Sequence, residues 1–217
     1  MRKIDKTNGQ ILSTKYKSWI NKLIKDGKKS SGNFYYDDVA MNLYYCQGGV
    51  CAYTEMFICI SELYDEKKWV NGRYKINDDE EHTRVDHLGE MDHFDSENKK
   101  IQYWNWDNLF MIHAKINGIK SNSEVMPYLK PDIAGYDPKI YFDYDESTHR
   151  FIPNTEIIDE AVIMEIQNMI DKVLFLNHGV VKNERRDFIN LIKHKKSNGQ
   201  QYVVDRFFTA VNFCIIE

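Results

Sequence analysis

Apolar positions recur at helical spacing towards both ends of the chain and give way to alternation near its middle. Residues 14–26 read as a short amphipathic helix with Trp19, Ile20, Leu23 and Ile24 inward, broken by Gly27 to Gly32. Residues 34–46 and 51–64 read as two more helices separated by Gly48-Gly49, the second carrying a core stripe of Met56, Phe57, Ile60 and Leu63. A polar stretch at 65–86 with Asp78-Asp79-Glu80-Glu81 is expected to be a loop or an excursion. The segment ending in Met91-Asp92-His93-Phe94 reads as a strand, and alternation puts Met91 and His93 on one face. Asn98-Lys99-Lys100 then begins a connecting loop over Trp104, Trp106 and Leu109, and the piece from Ile112 to Lys120 carries a short helix. Prolines at 127, 131, 138 and 153 punctuate a region of loops and one hairpin, Tyr141 to Tyr144 with Arg150 to Ile152. Three helices follow. The first covers 156–175, with Ile158, Val162, Ile166, Ile170 and Val173 at spacings of three and four. The second is basic, near 180–195 with Phe188 and Ile192; the third lies near 200–213 with Val204, Phe207, Phe208 and Val211. The expected fold class is α+β: one mostly helical domain over 1–217 built around a small ββα core. The N-terminal helices occupy 1–64, the core 87–122 and the three-helix C-terminal region 156–213.

Composition narrows the class. At 217 residues, 42% hydrophobic and 13% aromatic, the chain can bury a core and does not read as disordered. No apolar run reaches the ~18 residues of a membrane span, and the charged start lacks the apolar centre of a signal peptide, so a cytoplasmic protein is expected. Cys46, Cys51, Cys59 and Cys214 lie in apolar or aromatic surroundings, as reduced buried thiols do. The spacing of the first three matches no usual zinc pattern. The net charge of −4 argues against a protein that grips nucleic acid over its whole surface. The basic residues gather at the ends: Arg2, Lys3, Lys6, Lys15, Lys17, Lys22, Lys25, Lys28 and Lys29, then Lys182, Arg185, Arg186, Lys193, Lys195 and Lys196. They suit phosphate contacts or, more simply, solvated lysine-rich helix faces.

The chemistry-bearing stretch is Asp92-His93, then Asn108, then Asn117. Phosphodiester hydrolysis needs a base to activate water, a cation to hold the phosphate and a group that fixes the base. His93 can be the base, since an imidazole near its ordinary pKa accepts a proton at neutral pH. Asp92 and Asn117 can supply oxygen ligands to one Mg²⁺ or Mn²⁺. Asn108 can hydrogen-bond the loop or the second imidazole nitrogen. His113, one helical turn before Asn117, is a rival ligand. The plainer reading is that Asn108 and Asn117 cap a turn and a helix.

Several separated pieces in order resemble a family of bacterial HNH (ββα-metal) proteins that includes the nuclease subunit of Septu-type anti-phage systems and retron-associated nucleases. They are Met1-Arg2-Lys3-Ile4, Gly49-Val50-Cys51-Ala52-Tyr53-Thr54-Glu55, Met91-Asp92-His93-Phe94, Trp106-Asp107-Asn108-Leu109-Phe110 and Asn117-Gly118-Ile119-Lys120. Tyr136-Asp137-Pro138, Phe142-Asp143-Tyr144-Asp145, and Leu174-Phe175-Leu176-Asn177 with Arg185-Arg186 follow. The resemblance implies a metal-dependent endonuclease cutting DNA, with Lys120 near the scissile phosphate and an ATPase as partner; the chain has no phosphate-binding Gly-x-x-x-x-Gly-Lys-[Ser/Thr] loop of its own. It also implies that the chain is weak or silent alone. Many relatives carry a Cys₄ zinc knuckle. Here Thr54, Ile112 and Ile116 stand where three of its cysteines belong beside Cys51, so no structural zinc is expected. An RNA-cleaving effector, a solo restriction enzyme and a non-catalytic adaptor that kept the shell are the alternatives.

Overall fold

The first amphipathic pattern folds as α1, Thr14–Lys25, whose half-buried Trp19 lies against Tyr16, Tyr35 and Trp104. Ile24 is exposed, so the apolar face is narrower than its sequence suggested. The computed structural model describes residues 1–7, 14–28, 32, 34–65, 68–71, 73–75 and 87–215; the acidic run Asp78–Glu81 lies outside them. The second helix, α2, spans Tyr36–Gln47 and is buried over most of its length.

The helix expected over 51–64 does not form. Residues 51–54 make a turn, Glu55 takes a left-handed φ of 57°, and isolated bridges join Val50 to Phe57 and Cys59 to His87; only Ser61–Leu63 winds, as a single 3₁₀ turn. Met56 and Leu63 are buried while Phe57 is exposed, so the apparent stripe is divided between two sides of an irregular segment. Gly49 makes the reversal possible. Its φ is +72°, its carbonyl accepts from both the Ile58 and Cys59 amides, and a Cβ there would lie 2.3 Å from the Cys59 carbonyl oxygen.

Within the polar stretch expected to be loop, β1 (Trp69–Val70) and β2 (Arg73–Tyr74) form a small hairpin. Asp38 on α2 anchors it, accepting from the Tyr74 amide at 2.7 Å and pairing with the Arg73 guanidinium.

The central unit runs β3 (Gly89–His93), α3 (Ser96–Ile101), β4 (Leu109–His113) and α4 (Ala114–Lys120). The two strands are antiparallel, with Met91 opposite Met111 and His93 opposite Leu109. Leu109-Phe110-Met111-Ile112 is fully buried, as a continuous apolar run in a strand covered on both faces should be. The edge of β4 away from β3 is also paired. The buried Gln47 side chain accepts from the Met111 amide at 2.9 Å and donates to its carbonyl at 2.7 Å, and the Ala52 amide donates to the same carbonyl at 3.1 Å. Gly89 lets β3 approach α2, for a Cβ there would sit 2.2 Å from the Tyr44 hydroxyl. The loop expected at Asn98-Lys99-Lys100 is α3 instead, because Asp95 caps it by accepting from the Glu97 and Asn98 amides at 2.8 and 3.1 Å.

The N-terminal residues thread this core. Lys6 is buried, donates to the Trp106 and Leu109 carbonyls at 2.7 and 3.1 Å, and pairs with Asp132 at 3.0 Å. The predicted second hairpin forms as β5 (Phe142–Asp145) and β6 (Arg150–Pro153).

Of the C-terminal helices, α5 covers Glu160–Asn168 and runs on as a π-helical turn over Met169–Val173; α6 covers Gly179–Ser197 and α7 only Phe208–Cys214. Two expectations change here. Ile158 is 95% exposed and precedes the helix that Asp159 caps, leaving Ile166, Ile170 and Val173 as the buried part of the stripe. Residues 200–205 are not helical, and Phe207 at φ 51° blocks an earlier helix start. Arg185 of α6 is buried, donating to the Leu176 and His149 carbonyls at 2.8 and 2.7 Å beneath the Phe151 ring. The described residues thus form an α+β fold of helices and three two-stranded antiparallel sheets. None of its described helices is long and apolar enough to cross a membrane.

Candidate functional site

Strand alternation and helix spacing converge at β3 and α4. Glu90 and Asp92 share one face of β3, and Asn117 and Lys120, three residues apart, share one face of α4. The two faces meet in two cross-pairs. Asn117 Nδ2 donates to Glu90 Oε2 at 3.1 Å, and Lys120 Nζ donates to Asp92 Oδ1 at 3.2 Å. The second oxygen of Asp92 accepts from the Tyr53 hydroxyl at 2.6 Å. Burial pushes the Tyr53 hydroxyl well above its ordinary pKa, and the Asp92 carboxylate pushes it further, so Tyr53 stays a donor.

His93 ends β3 with its side chain on the opposite face from Asp92. Its ring is buried against the edge of Tyr103, and Nε2 lies 2.7 Å from the Tyr103 carbonyl. A carbonyl can only accept, so Nε2 carries the proton and Nδ1 is the basic nitrogen. Burial holds the imidazole below its ordinary pKa of 6.5; the Tyr103 carbonyl works against that shift, and Lys99 adds to it.

Asn108 binds the loop, and not the imidazole. Its Oδ1 accepts from the Asp95 amide at 2.8 Å, its Nδ2 donates to the Asp95 carbonyl at 2.9 Å, and its own carbonyl accepts from the Phe94 amide at 2.9 Å. Three bonds from one residue thus fix the two positions that follow His93. His113, the rival ligand, caps α4: its Nδ1 accepts from the Lys115 amide at 3.2 Å.

The structure therefore brings Asp92, Asn117 and Lys120 together, with His93 and Asn108 at the end of the same strand pair. Sequence reasoning missed Tyr53, Glu90 and the Tyr103 carbonyl. Glu90 could have been found, because period-2 alternation places it beside Asp92. Tyr53 could not, being 39 residues away along the chain. The turn that supplies Tyr53 is docked through Cys51, whose sulfur accepts from the His113 amide at 3.4 Å. Thr54, Ile112 and Ile116 are buried.

In this arrangement the donor set does not fit a divalent cation. Both oxygens of Asp92 are taken, one by a hydroxyl and one by an ammonium, and the Asn117 amide is turned to donate to Glu90. No group of three His, Cys, Asp or Glu side chains poised for a metal occurs among the described residues. A cleft of about 570 Å³ opens beside the Asn108 loop, but Asp95, Glu97, Asp107 and Glu124 line it with Lys130, the wrong sign for a phosphate backbone. Compared with known proteins, the chain matches no family model and no curated protein.

Proposed function

We propose that the chain is a phosphodiester hydrolase of the HNH type, cutting DNA in the cytoplasm as the effector of a defence pair whose other member is an ATPase. One observation carries the reading: a strand pair leads directly into a helix that lies back along it, with Asn117 at Glu90 and Lys120 at Asp92, while His93 and the loop-locking Asn108 stand at the far end of the same two strands. In this reading His93 is the base. Its tautomer is fixed by the Tyr103 carbonyl, so Nδ1 takes the proton of a water whose oxygen bonds to phosphorus as one ester P–O bond breaks, the leaving oxygen taking its proton from solvent. Its depressed pKa keeps the imidazole in the basic form at neutral pH. Asn108 is a positioning residue, since it holds the loop that follows His93. Lys120 supplies the positive charge at Asp92, and no step is routed through a metal ion. DNA, the ATPase and the Mg²⁺ or Mn²⁺ of such enzymes come from the resemblance; the exposed Ile158, just before α5, and the exposed Met164 on it support a partner-facing region there.

A non-catalytic adaptor is the second reading, favoured by the closure of Asp92 between Tyr53 and Lys120. Incubating wild type and His93→Ala with supercoiled plasmid, single-stranded DNA and RNA separates the two. Cleavage that His93→Ala loses supports the hydrolase, whereas cleavage by neither, with or without the co-expressed partner, supports the adaptor. Cleavage of RNA alone would move the substrate and keep the chemistry.

A further inference from the structure

We propose that Lys120 is the resident counter-ion of Asp92 and that it excludes divalent cations from that carboxylate. Tyr53, Lys120 and Asp92 are 0%, 2% and 5% exposed, so the carboxylate sees little water. The Lys120 ammonium sits 3.2 Å from Oδ1. A Mg²⁺ or Mn²⁺ ligated by the same oxygen at about 2.1 Å would be a second, doubly charged cation against that ammonium in a shielded site. The two cannot share Asp92; one replaces the other. Removing the ammonium leaves a buried carboxylate whose remaining described partner is the Tyr53 hydroxyl; such an uncompensated charge is costly, and a cation bound in place of the ammonium offsets that cost. Beside Asp92 Oδ1, which the ammonium now holds, the same strand and helix faces carry two further oxygen-bearing side chains suited to a hard ion: Glu90, two residues earlier on β3, and Asn117, three residues before Lys120 on α4. Glu90 is exposed and Asn117 half-buried. This holds whether or not the chain cleaves nucleic acid.

The test is a titration of the full chain with Mn²⁺, read from the electron paramagnetic resonance of the free ion, on wild type, Asp92→Asn, Lys120→Met and the double variant. Wild type and Asp92→Asn are expected to bind equally weakly. Lys120→Met is expected to gain one site tighter by about tenfold or more, and the double variant to lose it. A wild-type site that disappears in Asp92→Asn would overturn the proposal, as would a folded Lys120→Met that gains none. If Lys120→Met fails to fold, with or without Mn²⁺, the comparison of wild type with Asp92→Asn decides: equal weak binding upholds the proposal, and a tight site lost in Asp92→Asn refutes it.

Discussion

Replacing Asn108 by alanine tests how the site is held. The side chain makes two of the three bonds that fix Phe94 and Asp95, at 2.8 and 2.9 Å. Each such bond is worth about 0.5–1.5 kcal/mol net, and more when the partner is left dry. Asp95 is exposed enough for water to replace part of the loss. A total near 2 kcal/mol follows, which in a domain of this size lowers Tm by about 4–8 °C. The loop supplies its own control. The Asp95 amide loses its acceptor in Asn108→Ala, whereas the Phe94 amide still donates to the backbone carbonyl of residue 108. Amide hydrogen exchange resolved by residue should therefore show Asp95 deprotected and Phe94 largely unchanged. If Asp95 stays protected, or Tm falls by less than ~1 °C, the clamp is not what orders this loop.

Two further predictions concern the scaffold. Arg185→Met removes the donor from the Leu176 and His149 carbonyls and should cost about 3 kcal/mol in urea unfolding, because bonds from a charged donor to buried acceptors are the expensive ones to lose; an equally stable variant would mean the guanidinium is merely tolerated. His113 should make stability depend on pH. Burial holds its pKa below 6.5, and its Nδ1 must stay unprotonated to cap α4. Its contribution is therefore complete above pH 6.5 and is lost as pH falls below that value, where the unfolded chain takes up the proton first. His113→Asn keeps a capping side chain and removes the titration, so it should flatten that part of the curve without loss at pH 7.5. A curve unchanged by the substitution would put the dependence elsewhere.

Part of the central unit was legible because its signals are local. The alternation ending at His93 and the short helix bearing Asn117 each lie within a few residues, and both formed. The second strand was not read in place: Leu109 was expected beneath the loop and Ile112 in the helical piece, whereas Leu109–His113 is β4 and the helix starts at Ala114. The hairpin expected from Tyr141 to Tyr144 with Arg150 to Ile152 formed because its signals are local too, one residue further along at 142–145 and 150–153. The segment 51–64 misled because Met56, Ile60 and Leu63 recur at helix-like intervals, yet Met56 and Leu63 are buried, Ile60 half-buried and Phe57 exposed along an irregular chain. What set its course was Gly49, left-handed Glu55 and bridges to Phe57 and His87, which periodicity cannot register. At the candidate site the residue types could be picked out in sequence, but their pairing could not. That Asp92 would be shared between Tyr53 and Lys120, and that Asn108 would serve the Asp95 backbone in place of the imidazole, depend on contacts made only after folding.

The most direct test of the hydrolase reading is a comparison of supercoiled-plasmid nicking by wild type and His93→Ala, each purified alone and with whatever its native host supplies as partner. His93 is buried and bonded to the Tyr103 carbonyl, so the variant's fold is checked by melting and compared at a temperature where both are native. Wild type is expected to nick, most strongly in the complex, and His93→Ala to lose about 10²–10⁴-fold. Nicking by folded His93→Ala within about threefold of wild type, or none by wild type in any preparation, would contradict the hydrolase reading.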